Sequence, residues 1–293
     1  MNLINGFLFD SALEVEEDAK IVMGSILKSI FNREFNIKQV TSQKPFQAID
    51  TNYHGIRFDA YITEESASGN PEATIYDVEM EDRKADKKYL PKRFRYYSAL
   101  HDSKLIEAGH DYNTLPNFVS VTILSYDPFS AGDMYYEAST LLTTHPDISY
   151  DDGIVHIYLY CNGTPNFDTP GNPIHLSPEH SKKLQEMLKY IVSGQKPIST
   201  NTDIDAIDKI VAKVKGREEV TTAFMKQWDR ELSIKRETKE DDALKMIRFA
   251  RKHNISDDDI RSSLESDYDF PPSIINNLFS KINAERKETV LNK

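Results

Sequence analysis

The 293-residue sequence predicts an α/β or α+β fold: a sheet flanked by helices, followed by an all-helical C-terminal region. Three observations carry this. Apolar residues alternate with period two in several short runs between residues 36 and 162, and those runs are bracketed by segments of helical periodicity. From "SPEHSKKLQEMLKYIVSG" onward the alternation stops and apolar positions recur at helical spacing. Turn residues gather in "SGQKPISTNT", which places a boundary at 195–202, between a domain spanning 1–195 and a helical region spanning 203–293.

The elements follow in order. In "ALEVEEDAKIVMGSILKSIF", residues 12–31, Val15, Ala19, Val22, Met23, Ile26, Leu27 and Ile30 form one apolar stripe, so an amphipathic helix is expected. "NIKQVTSQKPF" has the pattern of a short strand. "HGIRFDAYIT" is a second, with Phe58, Ala60 and Ile62 on one face and Arg57, Asp59 and Tyr61 on the other. The turn residues of "EESASGNP" return the chain into a third strand, "ATIYDVEMEDRK", as an antiparallel hairpin that can set Asp59 beside Glu79. In that third strand Tyr76, Val78 and Met80 face a core, while Asp77, Glu79 and Glu81 share the opposite face.

Pro91 suits the first turn of a helix through "KRFRYYSALHDSKLIEAG", with Gly109 as its stop. "FVSVTILSY" is a β-branched, buried strand, and "GIVHIYLYCN" is another after a hairpin-like segment. One or two helices are expected over 203–230 and three short ones over 240–285. Ser256 and Asp259 resemble a capping box, and Pro271 and Pro272 separate the last two helices.

Composition narrows the function classes. No apolar run approaches the ~18 residues of a membrane span. The opening "MNLINGFLFDSAL" lacks the pattern of a secretory signal, and the single cysteine, Cys161, cannot form an internal disulfide, so a cytoplasmic protein is expected. A net charge of −11 disfavours a protein that coats nucleic acid. Locally the balance reverses: Arg83, Lys84, Lys87, Lys88, Lys92, Arg93 and Arg95 stand against only Asp82 and Asp86. The eight histidines show no paired zinc-ligand spacing, and no phosphate-cradling glycine loop is present. Trp228 reads as a helix-packing anchor. "SDDDIRSSLESDYDF" is acidic where a DNA-reading helix would be basic, so the C-terminal helices are read as a protein-contact or capping element.

The acidic strand is where chemistry is expected. Carboxylates at alternate positions repel unless water or a cation lies among them. A hard divalent ion, Mg²⁺ or Mn²⁺, takes oxygen ligands; Asp59 and Glu79 would supply two carboxylates and the backbone carbonyl of Met80 a third ligand. Such an ion lowers the pKa of a bound water and neutralises charge on a phosphodiester. Lys92, Arg93 and Arg95 would then contact the phosphates of a polyanion. The bland alternatives are a solvated acidic face and an arginine paired with local acids.

In this order the blocks resemble the PD-(D/E)xK nuclease family transposases of bacteria, also called recombination-promoting nucleases. "RFDA" with Asp59 matches the family's R-L-D-V, "DVEME" with Glu79 its N-I-E-M-Q, and "PKRFRYY" its P-K-R-x-R-Y-Y. "LIEAGHDYNTL", "ILSYDPFSAGDMYY", "IYLYCNGT" and "LQEMLKYIVSG" follow its later blocks, so the resemblance spans roughly residues 5–235. It implies a restriction-endonuclease-like core, a mixed sheet flanked by helices, and metal-dependent cleavage of DNA linked to transposition or recombination. It also implies Asp59, Glu79 and Glu81 as catalytic residues. Three positions depart from the pattern: Gly6 replaces an acid, Ser11 a lysine, and Glu81 the lysine of the wider superfamily or the glutamine usual in the family. A catalytically lapsed member acting as a DNA- or protein-binding module is the alternative. One site cuts one strand, which leaves a homodimer open, although no motif supports it.

Overall fold

In the computed structural model, which describes residues 1–48, 52, 54–64, 74–106, 109, 111–165 and 177–291, six strands form one mixed sheet. They are β1 (Ile37–Phe46), β2 (Ile56–Glu64), β3 (Thr74–Glu81), β4 (Asn117–Leu124), β5 (Tyr135–Ala138) and β6 (Ile154–Tyr160), in the spatial order β1-β2-β3-β4-β6-β5. β1, β2 and β3 are antiparallel neighbours, β3, β4 and β6 run parallel, and β5 closes the far edge antiparallel to β6. The expected β2–β3 hairpin is therefore present; its connection, 65–73, lies outside the described residues, as do His110 and His175.

The helices are α1 (Gly6–Ala12), α2 (Glu16–Phe31), α3 (Leu90–Asp102), α4 (Pro178–Ser193), α5 (Thr202–Lys215), α6 (Glu218–Lys252), α7 (Asp257–Ser266) and α8 (Pro272–Leu291). α1, α2, α4 and α5 bury one face of the sheet, where Ala60, Ile62, Tyr76, Val78, Met80, Val121 and Ile123 join their apolar stripes in one core. Parallel strands need a crossover, and α3 supplies the one between β3 and β4. Its Leu90, Phe94 and Leu100 pack over the other face on Phe58, Tyr61, Phe118, Leu124 and Tyr158.

Several boundaries differ from the sequence expectation. The helix expected over 12–31 starts only at Glu16, and a separate helix, α1, precedes it, opened by the Asn5 side chain, which accepts from the Leu8 N–H. α3 ends at Asp102 rather than Gly109, because Ser103 hydroxyl and N–H bond back to Leu100 and Ala99 and close its last turn. By its contacts the chain divides into Met1–Val220 and Thr221–Lys293. The expected boundary at 195–202 falls inside the first unit, since Ile204, Ile207, Val211 and Val214 of α5 belong to its core.

The expected break near 230–240 is absent. No glycine or proline interrupts 217–252, so α6 runs unbroken for 35 residues through a polar middle. Trp228 is half-exposed on it, not a packing anchor. In the second unit Ala243 and Ile247 pack with Ile260, Leu264, Leu278 and Phe279, and Ser256 caps α7 by accepting from the Asp259 N–H at 3.1 Å. Among the described residues no helix is long and apolar enough to cross a membrane.

Candidate active site

β2 and β3 are paired from Thr63↔Ile75 to Ala60↔Val78, and beyond that point side chains take over from the ladder. The Asp59 N–H donates to Glu79 Oε1 at 3.3 Å, and the Met80 N–H donates to Asp59 Oδ2 at 3.4 Å. Each carboxylate is thus hung on the backbone of the other's strand, at the place where the two strands part. On the outer side of Asp59, Gln43 Nε2 donates to Asp59 Oδ1 at 3.1 Å and to Asp10 Oδ1 at 2.6 Å. Gln43 lies on β1 between the Ser42↔Ala60 and Lys44↔Phe58 pairs with φ +50°, a left-handed conformation uncommon outside glycine. Backbone strain of this kind concentrates where geometry is being held for a task.

The acidic face of β3 is buried. Asp77, Glu79 and Glu81 are 0%, 6% and 5% exposed, because β3 is an interior strand and α3 lies across that face. One cation compensates them from above: Arg93 of α3 places Nη1 2.8 Å from Glu81 and Nη2 3.9 Å from Glu79. The other Glu81 oxygen accepts from the Arg83 N–H at 2.8 Å. Among the described residues both Asp77 oxygens, the Thr122 hydroxyl and Arg93 Nε have no hydrogen-bond partner. Buried polar atoms so left are costly, and their concentration here marks the site as built for something other than stability.

Burial first, and then the neighbouring Asp59 charge, pushes the Glu79 carboxyl up to about 8. Burial also raises Asp59, holds Asp77 well above the carboxylate range, and lifts Asp10 to about 6. A carboxyl raised by folding stabilises the native state while protonated, and that contribution is lost as pH rises through its folded value. The melting temperature in chelator is therefore expected to fall as pH rises through 6 and then 8, and added divalent cation is expected to restore it most at the alkaline end. A melting temperature flat across that window would contradict the burial of these acids.

The model of the PD-(D/E)XK nuclease family transposases matches residues 4–164, which run from α1 through β6 and include every residue of this cluster. The chain belongs to that family. Its mixed sheet with flanking helices accordingly fits the restriction-endonuclease-like fold, and the family brings a nuclease- or transposase-related role. A comparison with the curated proteins gives no match, and neither does one with the solved structures.

PD-(D/E)XK nucleases generally use divalent metals. Two desolvated carboxylates at one strand opening, Asp59 and Glu79, are a donor set suited to a hard, oxygen-seeking cation. Among the described residues no three His, Cys, Asp or Glu side chains are grouped as a ready-made cage, and Glu81 is committed to Arg93 and the Arg83 N–H. The site therefore fits an ion on two carboxylates, with waters and substrate completing the shell. The Met80 carbonyl stays available by position only; its N–H is what touches Asp59.

Lys92 and Arg95 are exposed on α3, as a phosphate contact requires, whereas Arg93 is drawn inward to the acids. Two residues of the cluster were not foreseen. Asp10 sits in the "NGFLFD" stretch without a periodic signal, and Gln43 is one polar residue among several on β1. The register of β1 against β2 brings Gln43 to Asp59, and the docking of α1 brings Asp10 to Gln43.

Proposed function

We propose that this family member is a metal-dependent DNA endonuclease, hydrolysing phosphodiester bonds in the course of transposition or recombination. The observation that carries the reading is the meeting of Asp59 and Glu79 at the opening between β2 and β3, desolvated and with Arg93 reaching Glu79 from α3. Asp59 and Glu79 would hold Mg²⁺ or Mn²⁺, which supplies a water of lowered pKa and neutralises charge on the phosphate. Gln43 and the Met80 N–H orient Asp59, each taking one of its oxygens. Arg93 provides, from α3, the positive charge that the wider superfamily takes from a lysine at the position of Glu81, and it faces the charge that develops on the phosphoryl oxygens. Glu81 fixes that guanidinium from below. Lys92 and Arg95 hold the flanking backbone from the outer face of α3.

The test is nicking of supercoiled plasmid by the full chain in Mg²⁺ and in Mn²⁺. No nicking at any metal concentration, with no metal binding by calorimetry, would sink the reading. Glu81→Gln is expected to keep a hydrogen bond to Arg93 while removing one negative charge, and so to raise the initial nicking rate several-fold. Glu79→Gln, which removes a ligand, is expected to abolish it. A loss in Glu81→Gln as deep as that in Glu79→Gln would make Glu81 a working ligand.

A second reading is favoured by the commitment of Glu81 to Arg93: a lapsed nuclease retained as a DNA- or protein-binding module, with the acidic C-terminal helices as the protein contact. It predicts salt-sensitive DNA binding without cleavage. Efficient cutting that Asp59→Ala removes would exclude it.

A further inference from the structure

β3 and β4 end together, at the Glu81↔Leu124 pair. The chain leaves β3 into a 3₁₀ turn, Lys84–Tyr89, and leaves β4 into the loop 125–134, whose "DPFSAG" motif the catalytic reading does not use. Both exits are tied down side by side. The Ser125 N–H donates to the Glu81 carbonyl at 3.2 Å, and Lys87 Nζ donates to Ser130 Oγ at 2.6 Å. Between them lies an open concavity of about 400 Å³ lined by Lys84, Lys87, Lys88, Pro91, Pro128 and Phe129, with no acidic side chain in its lining. In open α/β sheets the carboxyl ends of parallel strands are where ligands sit, and here that end also carries Glu79 and Glu81.

Phe129 is 44% exposed, yet it is held firmly. Its ring packs edge-on against Tyr136 and Tyr158, with centroids 5.1 Å apart in each case. The Asp127 carboxylate fixes the loop beneath it by accepting from the N–H groups of Phe129 at 3.0 Å, Ser130 at 2.8 Å and Gly132 at 2.8 Å, and from the Tyr136 hydroxyl at 3.0 Å. Ser130 and Gly132 take the left-handed turn this requires, with φ of +64° and +81°.

Lysines alone would serve the backbone of any duplex. A rigid, half-bare aromatic face among them serves a second need, because a base stacks on such a face only when it is not already stacked in a helix. We infer that this concavity takes an unpaired nucleotide of the DNA, its base on Phe129 and its phosphates among Lys84, Lys87 and Lys88. The inference names the substrate class of the proposed nuclease, DNA with a flap, gap or frayed end beside the cut, and rests on that reading for the identity of the polymer.

The experiment is fluorescence anisotropy with the full chain in chelator, so that nothing is cut, on duplexes of equal length that are blunt or carry a short unpaired 5′ or 3′ tail. The tailed duplex is expected to bind about tenfold more tightly than the blunt one. Phe129→Leu keeps the packing on Tyr136 and Tyr158 and is expected to reduce that preference to within about twofold while leaving blunt-duplex affinity unchanged. Lys84→Gln with Lys88→Gln is expected to weaken binding to both and to flatten the salt dependence. Equal affinity of the unaltered chain for blunt and tailed DNA, or a preference that survives Phe129→Leu, would overturn the inference. Should Phe129→Leu melt early, Phe129→Tyr decides: it retains a stacking face and is expected to retain the preference, and a loss there counts against the proposal. Tail-selective binding without plasmid nicking would remove the nuclease reading and leave this one standing. Nicking without tail selectivity would do the reverse.

Discussion

Arg93→Met is expected to destabilise the folded chain by about 3–5 kcal/mol under alkaline conditions, the usual cost of stripping one partner from a buried ion pair. Glu81 and Glu79 side chains are 7% and 8% exposed, and Arg93 is the cation that reaches both. Methionine fills similar volume over Phe94 but leaves two desolvated acids facing one another beside Asp77 and Asp59. The escape is protonation, which pushes Glu79 above its value of about 8. The folded variant then binds more protons than its unfolded chain, so its stability falls as pH rises, and falls further than that of the unaltered protein. Urea unfolding at a pH below the ordinary carboxylate range and at one above the Glu79 value separates the outcomes. A cost that is the same at both would mean that Arg93 stabilises by packing and not by charge. Nicking by the same variant is expected to drop on the order of 10²-fold even where it remains folded, since the positive charge facing the phosphate is gone.

Asp59→Asn is expected to lower the nicking rate by a factor on the order of 10² to 10⁴, while leaving the metal-free stability within about 1 kcal/mol of the unaltered chain. Two effects offset one another in the fold. The amide removes a negative charge from a crowded, partly desolvated cluster. It also provides an acceptor for only one of the two donors that now face Asp59, Gln43 Nε2 and the Met80 N–H, so one of those hydrogen bonds is lost. No such compensation exists for metal binding, which needs the second anionic oxygen. Melting curves with and without Mg²⁺ test this directly: the rise with Mg²⁺ expected of the unaltered protein should vanish in Asp59→Asn. If the variant instead melts much earlier without metal, Asp59 is a structural residue and the active-site reading loses its centre.

The alternation of Tyr76, Val78 and Met80 with Asp77, Glu79 and Glu81 was enough to identify β3 as a strand, to assign its faces and, with the turn residues before it, to pair it antiparallel with β2. The ordered blocks from "RFDA" to "IYLYCNGT" were enough to identify the family and, with it, the fold and Asp59 and Glu79 as the pair of interest. Period two says which side chains share a face and is silent on what covers that face. Whether the three acids meet water or protein was decided by α3, which the parallel β3–β4 crossover lays over them. The same placement turned Arg93 from a solvent-facing contact into the counterion of Glu81, and so commits one Glu81 oxygen to that guanidinium. Asp10 and Gln43 carry no local signal because each is polar at a position where polarity is ordinary. They reach Asp59 only through the β1–β2 register and the docking of α1, contacts between residues distant in the chain that no short pattern encodes. The long α6 misled for the opposite reason: its middle buries nothing, so apolar spacing lapses there, and the helix persists because no glycine or proline stops it. Local chemistry thus determined the elements, their faces and the two central carboxylates; the three-dimensional arrangement decided which of those charges are buried, which are neutralised and which remain for a ligand, because desolvation and pairing depend on what is packed alongside.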